Sequence, residues 1–210
     1  MEISYLLGNY GKPRLHIVSG RGCYVQDESG RDYLDLLSGI AVSSLGHAHP
    51  AITEAVSQQV RTLVHTSNLY SHPTAQSLAR KLVEFSGMDA KVFFSQDGAT
   101  ANEAAIKLAR SYGKSCNKTR FIAMTNSFHG RTMGTLALTG NEAKRIPFEP
   151  FGIEVDFVEY GNIENVRTVL SKETVAVIVE PLQGEGGMNV APPDYLLALR
   201  ELTAQHDALL

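Results

Sequence analysis

Apolar positions along the chain change their spacing once, near Lys91. Upstream of it the dominant pattern is helical. After Pro50, residues Ile52, Val56, Val60 and Leu63 fall on one face, and proline suits a first helical turn, where no N–H donor is needed. Ala75, Leu78, Ala79, Leu82 and Val83 follow at i, i+3, i+4, i+7 and i+8, with Gly87 placed to stop the helix. Earlier still, Cys23-Tyr24-Val25 and Tyr33-Leu34 flank the turn residues Asp27-Glu28-Ser29-Gly30, which predicts a hairpin. From Lys91 onward short apolar runs alternate with helical stretches. Strands are predicted over 92–95, 121–125, 155–159 and 175–180, helices over 101–112 and 163–170, and a last helix after Pro192-Pro193. The chain then reaches what reads as the opening of another strand, Asp207-Ala208-Leu209-Leu210.

Alternating strands and helices predict an α/β fold with a mostly parallel sheet covered on both faces. Such a sheet binds ligands at the carboxyl ends of its strands. The expected division is an amino-terminal segment, 1–87, followed by part of a larger domain, 88–210. Hydrophobic residues make up 43% of the chain, enough to build a core. The 19 basic and 22 acidic residues give a net charge of −3 with no basic block, which speaks against nucleic acid as a partner. Cys23 and Cys116 are too few and too far apart for a disulfide scaffold. Met1-Glu2-Ile3-Ser4-Tyr5 lacks the pattern of a secretory leader, and the run Val175 to Val179 is far too short to span a bilayer. The expectation is a soluble, cytoplasmic chain without a membrane partner.

Candidate chemistry gathers in three loops that follow predicted strands. Gln96-Asp97-Gly98-Ala99-Thr100 opens a helix, where backbone N–H groups and the dipole favour a phosphate. Gly98 would permit close approach and an unusual φ, Ala99 is small, and Thr100 can cap the helix or donate to the anion. A plain strand-to-helix turn explains the same residues, and neither a Walker loop nor a three-glycine dinucleotide spacing is present. Ser127-Phe128-His129-Gly130-Arg131-Thr132 offers a flat ring for stacking and a planar guanidinium for a carboxylate. The alternatives here are a core phenylalanine and a solvated arginine, and His129 is given no proton-transfer role. In Glu180-Pro181-Leu182-Gln183-Gly184-Glu185-Gly186-Gly187 the glycines favour close backbone packing on a ligand over metal ligation. His47-Ala48-His49-Pro50 reads as a turn entering a helix, so no metal ligand is assigned.

These words, in this order, resemble the class III aminotransferases, enzymes of fold type I that depend on pyridoxal phosphate. The resemblance also rests on Tyr33-Leu34-Asp35-Leu36, Gly39-Ile40-Ala41-Val42, Leu45-Gly46-His47, Asn68-Leu69-Tyr70 and Ala101-Asn102-Glu103-Ala104-Ala105-Ile106-Lys107. Within the family it is greatest to the branch acting on acetylated ornithine in arginine biosynthesis, with 2-oxoglutarate as acceptor. The resemblance implies that Gly98, Ala99 and Thr100 hold the cofactor phosphate, that Phe128 stacks on its ring, and that Glu180 and Gln183 support that ring. It implies that Arg131 binds the substrate α-carboxylate, that Glu185 is a gating carboxylate, and that Tyr70 lies near the substrate mouth or a homodimer interface. The family usually has Asn-Ser before the cradle glycine and a glutamate at the place of Thr100. Gln96-Asp97 therefore sets a carboxylate beside a phosphate site.

The resemblance further implies that only the first part of the large domain is present. The aspartate that pairs with the pyridine nitrogen, the Schiff-base lysine, and a Ser-Thr pair reaching the partner's phosphate would all follow Leu210. No catalytic residue is assigned, and the lysines present, such as Lys107, are expected to be solvated. Two readings remain at this stage: an aminotransferase of which this is the amino-terminal part, inactive alone, or a non-catalytic remnant acting as a folding or interaction module.

Overall fold

The computed structural model describes residues 5–210. It divides into two compact units, one ending at Arg80 and one running from Lys81 to Leu210. The division falls inside the helix Pro73–Ser86.

In the first unit, β1 (Ile17–Arg21), β2 (Tyr24–Asp27) and β3 (Asp32–Leu34) form an antiparallel sheet in that order. The predicted hairpin is β2–β3, with Tyr24 opposite Leu34 and Val25 opposite Tyr33. Asp27 organises its turn: one carboxylate oxygen accepts from the Ser29 and Arg31 N–H groups at 2.9 and 3.0 Å, the other from the Tyr33 hydroxyl at 2.8 Å. β1 has only Ile17 and Val18 as apolar residues and so carries no legible alternation; its pairing with β2 makes it a strand. His47 is a structural clasp. Its ring Nε2 lies 2.7 Å from Asp35 Oδ2, its backbone pairs both ways with Gly22, and a Cβ on Gly20 would come within 2.8 Å of its ring. The expected helices span Pro50–Thr62 and Pro73–Ser86. Their apolar stripes face outward: Val56 and Val60 are 56% and 59% exposed. No described residue before Ile106 is fully buried.

The second unit is built on a parallel sheet ordered β5 (Val155–Val158), β4 (Arg120–Met124), β6 (Thr174–Val177). Leu209 extends it beside β6, donating its N–H to the Val175 carbonyl and accepting from Val177. Period-two alternation along β4 sends side chains to opposite faces. Ile122 and Met124 join Val158, Val177, Val166, Tyr195, Leu199 and Leu202, under the helices Ile163–Val169 and Tyr195–Gln205. Phe121 and Ala123 join Leu138, Val175 and the inner face of the long helix Gly98–Cys116, through Ile106 and Ala109. That helix lies hard against the sheet at Gly113, where a Cβ would meet the Lys118 carbonyl oxygen at 2.2 Å and Val175 at 2.8 Å.

Two expectations fail here. Residues 92–95 form no strand. The segment pairs with no other strand among the described residues, and Phe93 is 71% exposed, because a strand exists only through its ladder. Nor are all lysines solvated: Lys118 is buried, its ammonium donating to the carbonyls of His206 and Asp207 at the end of the last helix. It stands at the amino end of β4, on the opposite edge of the sheet from the candidate loops.

Candidate functional site

The sheet order decides where a ligand can sit. After β4 the chain moves to β5 on one side; after β6 it moves to Leu209 on the other. The loops leaving β4 and β6 therefore diverge, opening a crevice at the carboxyl ends of two adjacent strands. These are the loops of Phe128 and Glu180.

The long helix beginning at Gly98 borders this crevice. Asp97 is its N-cap: Oδ1 accepts from the Thr100 N–H at 2.7 Å, and Thr100 Oγ1 accepts from the Asp97 N–H at 3.2 Å. This reciprocal box satisfies two otherwise orphaned donors. The Thr100 N–H and the neighbouring Ala99 N–H hold the Asp97 carboxyl below the usual carboxylate range. Asp97 is thus turned into the helix end rather than away from it. Gly98 does not use a left-handed φ, contrary to the reading of its loop; what it supplies is space, since nothing lies within 4 Å of where its Cβ would stand.

The Phe128–Thr132 loop is pinned to this helix by two residues the sequence reading gave no role. Asn102 donates from Nδ2 to the His129 carbonyl at 2.8 Å. Glu103 accepts from the Thr132 hydroxyl at 2.5 Å and the Gly134 N–H at 3.0 Å. Gly130, at φ 137°, fits because any Cβ would collide with Thr135 Oγ1 at 2.5 Å and Ala99 Cβ at 2.7 Å. The Phe128 loop and the phosphate-type helix end are therefore in contact. The legible trace of these anchors was the polar pair Asn102-Glu103 inside the run Ala101–Lys107, one of the words on which the family resemblance rests.

Phe128 is half-buried, and its N–H donates to Glu180 Oε2 at 3.1 Å, tying the two loops together. Burial raises the Glu180 carboxyl; the Phe128 N–H opposes the rise and the charge of Glu185 adds to it. The Arg131 guanidinium lies 5.6 Å from the Phe128 ring centroid and, among the described residues, has no ion pair. Gln183, on the short strand β7 (Leu182–Gln183) that pairs with β8 (Asn189–Val190), is fully buried. Its amide donates to the Thr125 carbonyl at 2.9 Å and accepts from Asn189 at 3.3 Å, so it braces the two loops from beneath. Glu185 is exposed and pairs with Lys144 at 3.7 Å, a partner the sequence reading did not name. Burial pushes the His129 imidazole down to about 4, so the ring is neutral; its Nε2 has no partner among the described residues. Tyr70 belongs to the first unit, in the exposed bend before the helix Pro73–Ser86.

The family model described as aminotransferase class-III matches residues 7–210. The chain belongs to the class III aminotransferases. It is 50% identical over 205 residues to the acetylornithine aminotransferase of Mycolicibacterium smegmatis, covering 98% of this chain and 52% of that protein. It is 45% identical over 210 residues to that of Aquifex aeolicus, covering 99% of this chain and 56% of the other. Its fold matches a solved ornithine aminotransferase of Toxoplasma gondii, described with partial occupancy of pyridoxal phosphate at its active site. There the TM-score is 0.90 at 29% identity, over 98% of this chain and 50% of the other. The chain spans about half the length of the relatives it matches, and within the fold-type I architecture it represents the amino-terminal portion. Among the described residues no group of His, Cys, Asp or Glu could hold a metal ion, and no helix is long and apolar enough to cross a membrane.

Proposed function

We propose that this chain is the amino-terminal part of a pyridoxal-phosphate-dependent aminotransferase that moves an amino group from N2-acetylornithine, or a related ornithine derivative, to 2-oxoglutarate. The observation that carries the reading is the meeting of the Phe128 and Glu180 loops at the sheet's switch point, with an unpaired Arg131 beside the ring. A phosphorylated flat ring fits these residues: the space over Gly98 opens at a helix amino terminus, and that helix touches the loop carrying Phe128.

When bound, the cofactor would supply an electron sink that no side chain here can provide. The residues do the rest. Gly98 offers its N–H to the phosphate, joined by Ala99 and Thr100 to the extent that Asp97 releases them. Phe128 covers one ring face and is held there by Asn102 and Glu103 through the loop backbone. Glu180, fixed by the Phe128 N–H, and the buried brace Gln183 set the floor under the ring. Arg131 receives the α-carboxylate that amino donor and oxo acid share, because its fork matches a carboxylate at two points. Glu185 serves as a movable counter-charge. A homodimer working in the cytoplasm belongs to the same reading.

The test is to assay a full-length protein carrying these residues with acetylornithine, ornithine and succinylornithine against 2-oxoglutarate. The highest kcat/KM is expected with acetylornithine. A clear preference for ornithine would reassign the donor, and no amino transfer from any of the three would overturn the reading.

A further inference from the structure

We propose that Glu103 is a positioning residue for Arg131. From the long helix it fixes the backbone that aims the guanidinium, so that substrate carboxylate and cofactor phosphate are placed by one rigid element. The inference rests on the functional reading above and adds a residue to it.

Arg131 lies between two anchors on the helix Gly98–Cys116. Asn102 holds the loop at His129, before it, and Glu103 holds it at Thr132 and Gly134, after it. Both bonds to Glu103 end on one oxygen: Oε1 accepts from the Thr132 hydroxyl at 2.5 Å and from the Gly134 N–H at 3.0 Å. The arrangement replaces a local one. Thr132 is the N-cap of the short helix Met133–Ala137, and an N-cap threonine ordinarily accepts from an N–H in the first turn of its own helix. Here its side chain makes no such bond. The hydroxyl donates away from the helix, and the Glu103 carboxylate accepts from the N–H of the helix's second residue in its stead. The fit is close, for a Cβ on Gly134 would stand 2.6 Å from Glu103 Oε2. Thr135 Oγ1, 2.8 Å from Thr132 Oγ1, and the Leu136 N–H, donating to the Thr132 carbonyl at 2.7 Å, complete the lock on the residue after Arg131.

Closing a short helix needs none of this, since Thr132 could cap it alone. What the detour adds is a tie between the neighbour of Arg131 and a helix whose amino end is the candidate phosphate site. Glu103 stands in the second turn of that helix. It is not the counter-ion of Arg131: no ion pair joins them, so it acts through the backbone and leaves the guanidinium its full charge. A fixed base under a free charge is what a carboxylate clamp requires, because a group that must first be ordered gives up part of its binding energy.

The test uses full-length protein and three measurements. Calorimetry on the cofactor-loaded protein gives the dissociation constant of pentanoate, which has a carboxylate and no amino group to transfer. Steady-state kinetics give kcat/KM for acetylornithine, and a fluorescence titration gives the dissociation constant of pyridoxal phosphate. The variants are Glu103→Ala, Glu103→Gln, Thr132→Val, Thr132→Ser, and Arg131→Met with and without Glu103→Ala. Expected for Glu103→Ala and Thr132→Val is a loss of about tenfold or more in pentanoate affinity and kcat/KM, with pyridoxal phosphate affinity kept within about twofold. Glu103→Gln, whose one amide oxygen can accept both bonds, and Thr132→Ser, which keeps the hydroxyl, should recover most of that loss. Beside Arg131→Met, Glu103→Ala should cost kcat/KM little more, since the residue it aims is gone. Unchanged pentanoate affinity in Glu103→Ala, an equal loss in Glu103→Gln, a matching fall in pyridoxal phosphate affinity, or the full loss repeated beside Arg131→Met would overturn the proposal. Should Glu103→Ala fail to fold, Thr132→Val against Thr132→Ser decides on the same terms. Failure of the wider reading looks different: no amino transfer from any ornithine derivative in the wild type, whatever Glu103 does to pentanoate binding.

Discussion

At the scale of single residues, Asp97 and His129 carry the sharpest consequences. Asp97 does two things of opposite value to a phosphate: it caps the helix and it brings a negative charge to the same end. Asp97→Ser keeps a capping oxygen and removes the charge, so pyridoxal phosphate should bind about fivefold tighter or more, the worth of one unit repulsion in water-like surroundings. A fluorescence titration of full-length protein measures it, and equal or weaker affinity would show that the carboxylate does not oppose the cofactor. His129 responds to pH. Its imidazole is held at about 4 by burial, against an ordinary 6.5. Below pH 6.5 the unfolded chain takes up a proton that the folded one refuses, so stability is full above 6.5 and falls as pH drops toward 4. The whole loss is on the order of 3 kcal/mol. Urea denaturation across that window should be flatter for His129→Asn; identical slopes would remove His129 from the account.

At the scale of elements, Gly113 reverses a familiar rule. Replacing a helical glycine by alanine ordinarily stabilises a helix by ~1 kcal/mol. Here the added methyl would stand 2.2 Å from the Lys118 backbone oxygen, which cannot give way without moving the turn into β4. Gly113→Ala should therefore destabilise, by roughly 1–3 kcal/mol as overpacking does, and lower the thermal midpoint. An unchanged or raised midpoint would mean that helix and sheet have room to part. Elements with a private apolar rhythm were legible in the sequence. Ile163–Val169 and the β2–β3 pairing need only their own residues; the helix ends one residue before its expected end, and the hairpin forms where expected, with β2 running two residues further into the turn. Elements defined by a partner were not: β1 lacks a pattern and exists through β2, whereas residues 92–95 have the pattern and lack the partner. The candidate site divides the same way. Phe128, Arg131 and Glu180 announced themselves as chemistry beside glycines, but Asn102, Glu103 and Lys144 act through tertiary contacts that no local spacing encodes.

At the scale of the whole molecule, burial is uneven: all fully buried residues among those described lie between Ile106 and Ala208. Amides of β4, which pairs on both sides, should exchange with solvent slowest, and those of β1–β3 and of the helices Pro50–Thr62 and Pro73–Ser86 much faster. Hydrogen exchange followed by mass spectrometry resolves these segments, and comparable protection in both would contradict the picture. The same distribution has a meaning in time. Translation delivers a chain from its amino end onward, so the segments with outward apolar stripes are made before any residue of the buried sheet. At the usual rates of synthesis, the interval between the emergence of Thr62 and that of Ala208 is on the order of ten seconds. Through that interval, and in the folded chain as well, Ile52, Val56, Val60, Leu78 and Leu82 keep about half of their surface open to water or to whatever apolar surface a neighbouring nascent chain presents.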